Sequence, residues 1–406
     1  MCANRLLKSI RLRNFLSYGP TAPPIDLLPL NVLIGPNGSG KSNLLEAVDI
    51  LRATPSDVTQ PIRDGGGVED YLWKGLTAKR VPTSEIEATV YYPEGKGQLK
   101  YRLAFTMVGQ RFEIFDEAIE NPEPSPGEED VYFYYRYQSG HPVLNVRTKA
   151  EAQAGSSEGR ERRSLRREDV AVGQSILSQR KDPDQYPEIT HLGNQFGKVR
   201  LYREWNLGRN TEPRKPQKVD LPADFLSESA DNLPLVLNDL ESRSETRRVI
   251  NEYLKKFHES AEAVTSRLFG GTVQLIVHEK GLKEIPATRL SDGTLRYLCL
   301  LAVLCHPEPP PLVCLEEPEI GLHPDILPTV AELLIQASER CQLIVTTHSD
   351  ILVSALVERA ESVLICERDA DGSRLTRLQS EKLKDWLNKY SLGELWRMGE
   401  LGGTRW

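Results

Sequence analysis

The stretch Asn31–Ser42, NVLIGPNGSGKS, constrains what this chain can fold into more than any other. From Gly35 through Gly40-Lys41-Ser42 it fits G-x-x-x-x-G-K-[ST] at every fixed position. Asn31–Ile34 reads as a buried strand, and Ser42 to about Arg52 as an amphipathic helix. The chemistry needs all three parts. Glycines let the backbone curl so that successive N–H groups point at phosphate oxygens. The helix start adds partial positive charge. Lys41 is then placed to reach β- and γ-phosphates, and the Ser42 hydroxyl to face Mg2+. An incidental glycine-rich turn would explain neither flank. Gly35, Pro36, Asn37, Gly38, Ser39, Gly40, Lys41, Ser42 and Asn43 are the expected binding segment for a nucleoside triphosphate.

At 406 residues the chain exceeds the usual single-domain size, so more than one lobe is expected. Hydrophobic content of 39% and charged content of 27% read as globular and soluble. No apolar run approaches the roughly 20 residues that span a membrane. Met1–Lys8 has no signal-peptide core, and a cytoplasmic protein without a membrane partner is the expectation. None of the six cysteines forms a C-x-x-C pair, so core thiols are expected rather than a zinc site or disulfide frame. The net charge of −7 argues against a generally nucleic-acid-coating surface and leaves room for a local basic patch.

The chain divides into an N-terminal lobe over 1–150, a charged linker with an inserted helical lobe over 151–270, and a C-terminal lobe over 271–406. In the first, β-rich runs at about 85–92, 99–107, 111–118 and 131–137 predict an antiparallel meander. In the second, Arg160, Arg162, Arg163, Arg166 and Arg167 interleave with acids, giving either a solvated face or a nucleic-acid contact. A helical region is expected from about Ala230 to Leu268. From Thr272 strands and helices alternate with the rhythm of a parallel sheet, so the fold class is α/β.

Leu312–Leu315 is a buried-strand run ending in Glu316-Glu317-Pro318-Glu319. Adjacent acids at a strand end suit Mg2+-nucleotide chemistry. One carboxylate, Glu316, helps hold the metal's water shell, and the next, Glu317, polarises the attacking water. A second strand, Cys341–Thr346, ends in Thr347-His348-Ser349, from which His348 can reach the γ-phosphate. Leu290-Ser291-Asp292-Gly293-Thr294 opens a strongly apolar helix. Ser291 is either an ordinary N-cap or part of a second anion-binding helix start. In the second case, it and the phosphate loop serve one γ-phosphate only if two subunits face each other.

GPNGSGKS, LSDGT, CLEEPE and TTHS, in that order, resemble the ATP-binding-cassette ATPase set. The branch resembled is the SMC/RecF-like one, which includes the OLD (overcoming lysogenization defect) family. The opening Ile10–Tyr18 resembles that branch's first strand. The resemblance implies a P-loop ATPase head made of a parallel sheet with helices plus a β-meander, with ATP and Mg2+ as cofactors. Lys41 and Ser42 would bind phosphate and metal, and Glu316 would take the Walker B metal role. Glu317 would be the general base and His348 the switch histidine. Ser291 and Gly293 would act in trans. The Q-loop glutamine would be Gln179, with Gln174 and Gln60 as weaker choices. Relatives more often carry Asp where Glu316 stands. The extra methylene moves the carboxylate by roughly 1.5 Å, so metal contact is direct or through water.

About 245 residues separate the loop from LSDGT without a heptad arm, and 58 follow His348, too few for a TOPRIM nuclease domain. The expected function is an ATPase that forms a homodimer or higher homo-oligomer through its ATP sites. It would control a separately encoded effector, a nuclease for which the TOPRIM type is one candidate, in bacterial antiviral defence. The competing reading is a RecF-like, DNA-binding ATPase of DNA repair. A transporter motor fits poorly with the large β-rich insertion. The glycine- and tryptophan-bearing tail, 393–406, either packs on its own domain or docks a partner.

Overall fold

The computed structural model describes residues 5–75, 83–93, 97–138, 141–146, 161–164, 170–281, 284–387 and 389–403. Strands β1 (Leu7–Arg13), β2 (Ile25–Asp26) and β3 (Leu30–Ile34) come first. β3 runs into the phosphate loop and the helix Lys41–Ala53. The expected meander follows as β4 (Ser84–Tyr92), β5 (Gly97–Val108), β6 (Arg111–Glu120), β7 (Phe133–Gln138), β8 (His141–Val146) and β9 (Glu161–Ser164). Its antiparallel order is β2-β1-β4-β5-β6-β7-β8-β9. β4 shows the cause: every second residue is buried, the period of a strand with one face on a core.

The chain then supplies β10 (Arg200–Tyr202), β11 (Gln217–Lys218), β12 (Ala261–Phe269), β13 (Thr272–Glu279) and β14 (Ile285–Pro286). The last four form a small antiparallel sheet against the helices Leu233–Ser242 and Ser244–Phe257. β15 (Leu312–Glu316), β16 (Gln342–Thr346), β17 (Val363–Asp369) and β18 (Gly372–Arg377) complete the set. A sheet ordered β10-β15-β16-β3-β17-β18 results, parallel except at its final pair.

Successive residues of the parallel strands enter opposite cores. Val32, Val313, Leu315, Leu343 and Val345 join the core under the helices Asp292–Leu304 and Leu327–Ser338. Leu33, Leu312, Cys314 and Ile344 join the other, with Leu44, Leu45 and Val48 of the phosphate-loop helix and the meander. Helices and meander thus cover both faces, which is why these strands read as unbroken apolar runs. Strand register sets the site. Tyr202 lies opposite Leu315, Glu316 opposite Thr346, Thr346 opposite Leu33, and Ile34 opposite Ile365. The carboxyl ends therefore form one row.

Two expectations change. The helical region expected to run to Leu268 ends at Phe257, and Ala261–Phe269 is strand. Gly270 and Gly271, with φ of 57° and 77°, turn it back on β13 as a tight hairpin. The helix pair Leu233–Ser242 and Ser244–Phe257 consequently packs on a sheet whose strands β13 and β14 lie beyond residue 270. β10, within the 151–270 stretch, belongs to the parallel sheet. Arg160, Arg166 and Arg167 lie outside the described residues, and Arg162 and Arg163 are described only as part of β9.

Cys299, Cys305, Cys314, Cys341 and Cys366 are buried free thiols. Among the described residues, no helix is long and apolar enough to cross a membrane. The tail packs at home as far as Gly403. A Cβ on Gly393 would lie 2.1 Å from the Asp350 carbonyl, and Arg397 pairs with Asp350 at 3.0 Å. The Gly403 N–H donates to Glu367 Oε1 at 2.9 Å. Thr404–Trp406 lie outside the described residues.

Candidate functional site

The phosphate loop needs its glycines. Gly35, Gly38 and Gly40 have φ of 145°, 77° and 110°, and a Cβ on Gly35 would lie 2.2 Å from the Cys366 carbonyl. The loop is braced from neighbouring elements. Tyr18 donates to the Gly40 carbonyl at 3.0 Å, and Ser373 and Cys366 donate to that of Ser39 at 2.5 and 3.1 Å. The Ser17 hydroxyl in turn donates to Ser373 Oγ at 2.6 Å and accepts from the Asn43 amide at 2.7 Å. Asn43 thus supports the loop through Ser17. Sequence reasoning missed this bracing. Its signal was faint: Ser17 and Tyr18 close the first-strand segment, and Ser373 lies in a polar hairpin more than 300 residues further along the chain.

Lys41 folds onto its own loop, donating to the carbonyls of Gly35 at 2.9 Å and Pro36 at 3.1 Å. Burial pushes its pKa down, while Cys366, Glu317 and Glu316 pull it back up. Ser42 Oγ donates to Glu316 Oε1, which joins the two expected metal-side groups across the sheet end. Ser39 Oγ is buried without a hydrogen-bond partner. A buried orphan hydroxyl in a glycine-rich loop at a helix start fits a phosphate oxygen. These residues suit a nucleotide phosphate chain.

Glu317 follows the strand with φ of 46°, a left-handed conformation uncommon for a residue with a Cβ. Its N–H donates to the Thr346 carbonyl at 3.0 Å, and Oε1 lies 3.5 Å from His348 Nε2. Burial first, then the Lys41 charge, lowers the His348 pKa below its usual value, against Glu317 and Glu319. The imidazole is therefore mainly neutral at pH 7. Glu319, given no role by sequence, holds this histidine's backbone: its Oε1 accepts from Thr347 Oγ1 at 2.6 Å and from the His348 N–H at 2.8 Å.

Ser291 caps the helix Asp292–Leu304, accepting from the Thr294 N–H at 3.0 Å. Ser291 and Asp292 are exposed, and a Cβ on Gly293 would lie 2.9 Å from the Gly321 carbonyl. Among the described residues, no hydrogen bond or ion pair joins Ser291, Asp292 or Gly293 to the phosphate loop or Glu317.

Gln179 does not join the set. It ends the short helix Ile176–Gln179, and its side chain bonds the backbone of Gln174 at 2.8 Å and of Ala171 at 3.0 Å. The place beside Glu316 is instead reached by Arg203, directly after β10. Arg203 bonds Glu46 at 2.5 Å and Asp49 at 3.4 Å on the phosphate-loop helix. With Gln60, it lines a polar cavity of about 730 Å³ next to that helix.

A phosphate-type loop and an acidic strand end on one parallel sheet, with a β-meander over one face, give the fold of a P-loop ATPase domain. Two solved structures share the fold. One is an Smc head bound to the C-winged helix domain of ScpA, with a TM-score of 0.58 and 15% identity, covering 93% of this chain and 99% of that one. The other is an Smc head domain from Pyrococcus furiosus with an extended coiled coil, bound to the C-terminal domain of ScpA. Its TM-score is 0.56 at 14% identity, covering 95% and 99%. Residues 30–354 match the family model described as "AAA domain, putative AbiEii toxin, Type IV TA system", and the chain belongs to this family. It is an ATPase. An OLD nuclease of Thermus scotoductus is 24% identical over 420 residues, covering 96% of this chain and 68% of that protein.

Proposed function

We propose that this ATPase works as a head-to-head homodimer closed around ATP, and that the closed state governs a nuclease effector in antiviral defence. Ser42 and Glu316 would hold Mg2+, which supplies charge neutralisation when bound. Lys41 exchanges the Gly35 and Pro36 carbonyls for phosphate oxygens. Glu317 takes a proton from the attacking water, and His348, neutral and beside Glu317, contacts the γ-phosphate. Ser291 and Gly293 of the second copy complete the site with the N–H groups of their helix start.

One observation carries this reading. Lys41, Ser42, Glu316, Glu317 and His348 converge at one sheet end, while Ser291 stands exposed with no bond to them. The nuclease part rests on the likeness to an OLD nuclease.

Glu317→Gln keeps the shape and loses the base. ATP should still bind, hydrolysis should fall roughly 10²-fold, and an ATP-dependent dimer should accumulate in light scattering. Normal turnover in that variant would remove Glu317 from its role. Cutting of DNA by the purified protein alone, unchanged in Glu317→Gln, would remove the separate effector.

A further inference from the structure

The start of the signature helix carries a charge conflict. Asp292 is its first residue, between Ser291 and Gly293, and its side chain is 72% exposed. If this helix start meets the partner's γ-phosphate, a carboxylate stands where a triphosphate must approach. Partial positive charge at a helix start, about half an elementary charge, does not offset a full negative one. The start also has little room to retreat, because Gly293 sits against the Gly321 carbonyl.

Arg214 lies directly beneath. Its side chain is only 5% exposed, and Nη2 donates to Asp292 Oδ1. Nε donates to the carbonyls of Leu207 at 2.9 Å and Gly208 at 3.2 Å. Nη1 donates to those of Ala287 at 3.1 Å and Leu290 at 2.6 Å. Neutral carbonyls from two segments thus fix the guanidinium, and Asp292 is its one anionic partner among the described residues. The 207–208 segment follows Arg203, next to Glu316, so the arginine also joins the sheet end to the signature helix. An ordinary surface ion pair has no such cradle and contributes little.

We propose that Arg214 is a positioning residue of the composite ATP site: it neutralises Asp292 and turns it aside, so that the signature helix of one copy can close on the nucleotide held by the other. This rests on the dimer reading above. Among the described residues Arg214 makes no bond to Lys41, Ser42, Glu316, Glu317 or His348. Its contribution is to remove a repulsion that would act only on closure.

The test uses the full chain carrying Glu317→Gln and reads the ATP concentration at half-dimerisation by light scattering. If this parent stays monomeric at all ATP concentrations, the dimer reading and the proposal fall together. If it dimerises, three further variants concern Arg214 alone. Adding Asp292→Asn, at an exposed position, should lower the midpoint about two- to fivefold. Adding Arg214→Gln should raise it about tenfold or more, with single-subunit binding of a fluorescent ATP analogue unchanged. Combining Arg214→Gln with Asp292→Asn should bring the midpoint back to within about threefold of the parent. Lost dimerisation in the combined variant would mean that Arg214 only holds two segments together, and would overturn the proposal. If Arg214→Gln does not fold, the Asp292→Asn result decides: an unchanged or higher midpoint overturns it.

Discussion

Glu319 ties the turn after β15 to the end of β16, with the Thr347 hydroxyl and the His348 N–H both on its Oε1. Its other oxygen, Oε2, is buried without a hydrogen-bond partner. An unsatisfied buried carboxylate oxygen is costly, so the arrangement is retained for what Oε1 does rather than for stability. What Oε1 does is fix the backbone from which His348 reaches Glu317, 3.5 Å away. Among the described residues the carboxylate makes no bond to Lys41, Ser42 or Glu317. Glu319→Ala should therefore lower kcat roughly tenfold and leave the KM for ATP within about twofold, in steady-state phosphate release. A raised KM at unchanged kcat would place Glu319 in nucleotide binding instead.

Among the elements, β6 and the turn that begins at Ser175 are locked by one buried carboxyl. Glu117 accepts from the hydroxyls of Ser175 and Tyr101, the latter at 2.7 Å, and from the Ile176 N–H at 2.9 Å. Burial raises its pKa to about 7, although all three donors favour the charged form. An acid whose pKa is raised on folding binds its proton more tightly in the folded state. Its contribution is full below the unfolded value of about 4.5, and is lost as pH rises through about 7. The loss is on the order of 3 kcal/mol. Calorimetry should accordingly show the melting temperature falling between pH 5 and 7.5, and Glu117→Gln should flatten that slope. An equal slope in the variant would assign it to other groups.

Elements also differed in how far they could be read beforehand. The meander was legible because Ser84–Tyr92 alternates strictly, and the phosphate loop because its motif and both flanks agree. β10 was not, since three residues carry no period. That hid Arg203, whose place beside Glu316 depends wholly on strand register, and left Gln179 as the best remaining candidate. β12 escaped notice as a strand because its buried residues, Ala261 and Val264, fall three apart, a helix-like spacing that the register shift between Ala261 and Ala263 produces. The motif residues of the site were legible, and the residues that hold them were not. Tyr18, Ser373, Glu319 and Arg214 act through long-range contacts that no local spacing encodes.

On the scale of the whole molecule, the central claim is that each ATP site takes its loop from one copy and its signature from another. Isologous pairing of a single chain then makes two such sites per dimer. Lys41→Ala disables the loop half, and Ser291→Arg disables the signature half. Each variant alone should be nearly inactive in hydrolysis. In a mixed dimer both lesions fall in one site and the other site stays intact. An equimolar mixture should then recover about a quarter of wild-type turnover, because half of the dimers are mixed and each keeps one working site. A mixture as inactive as its separate components would contradict the shared site.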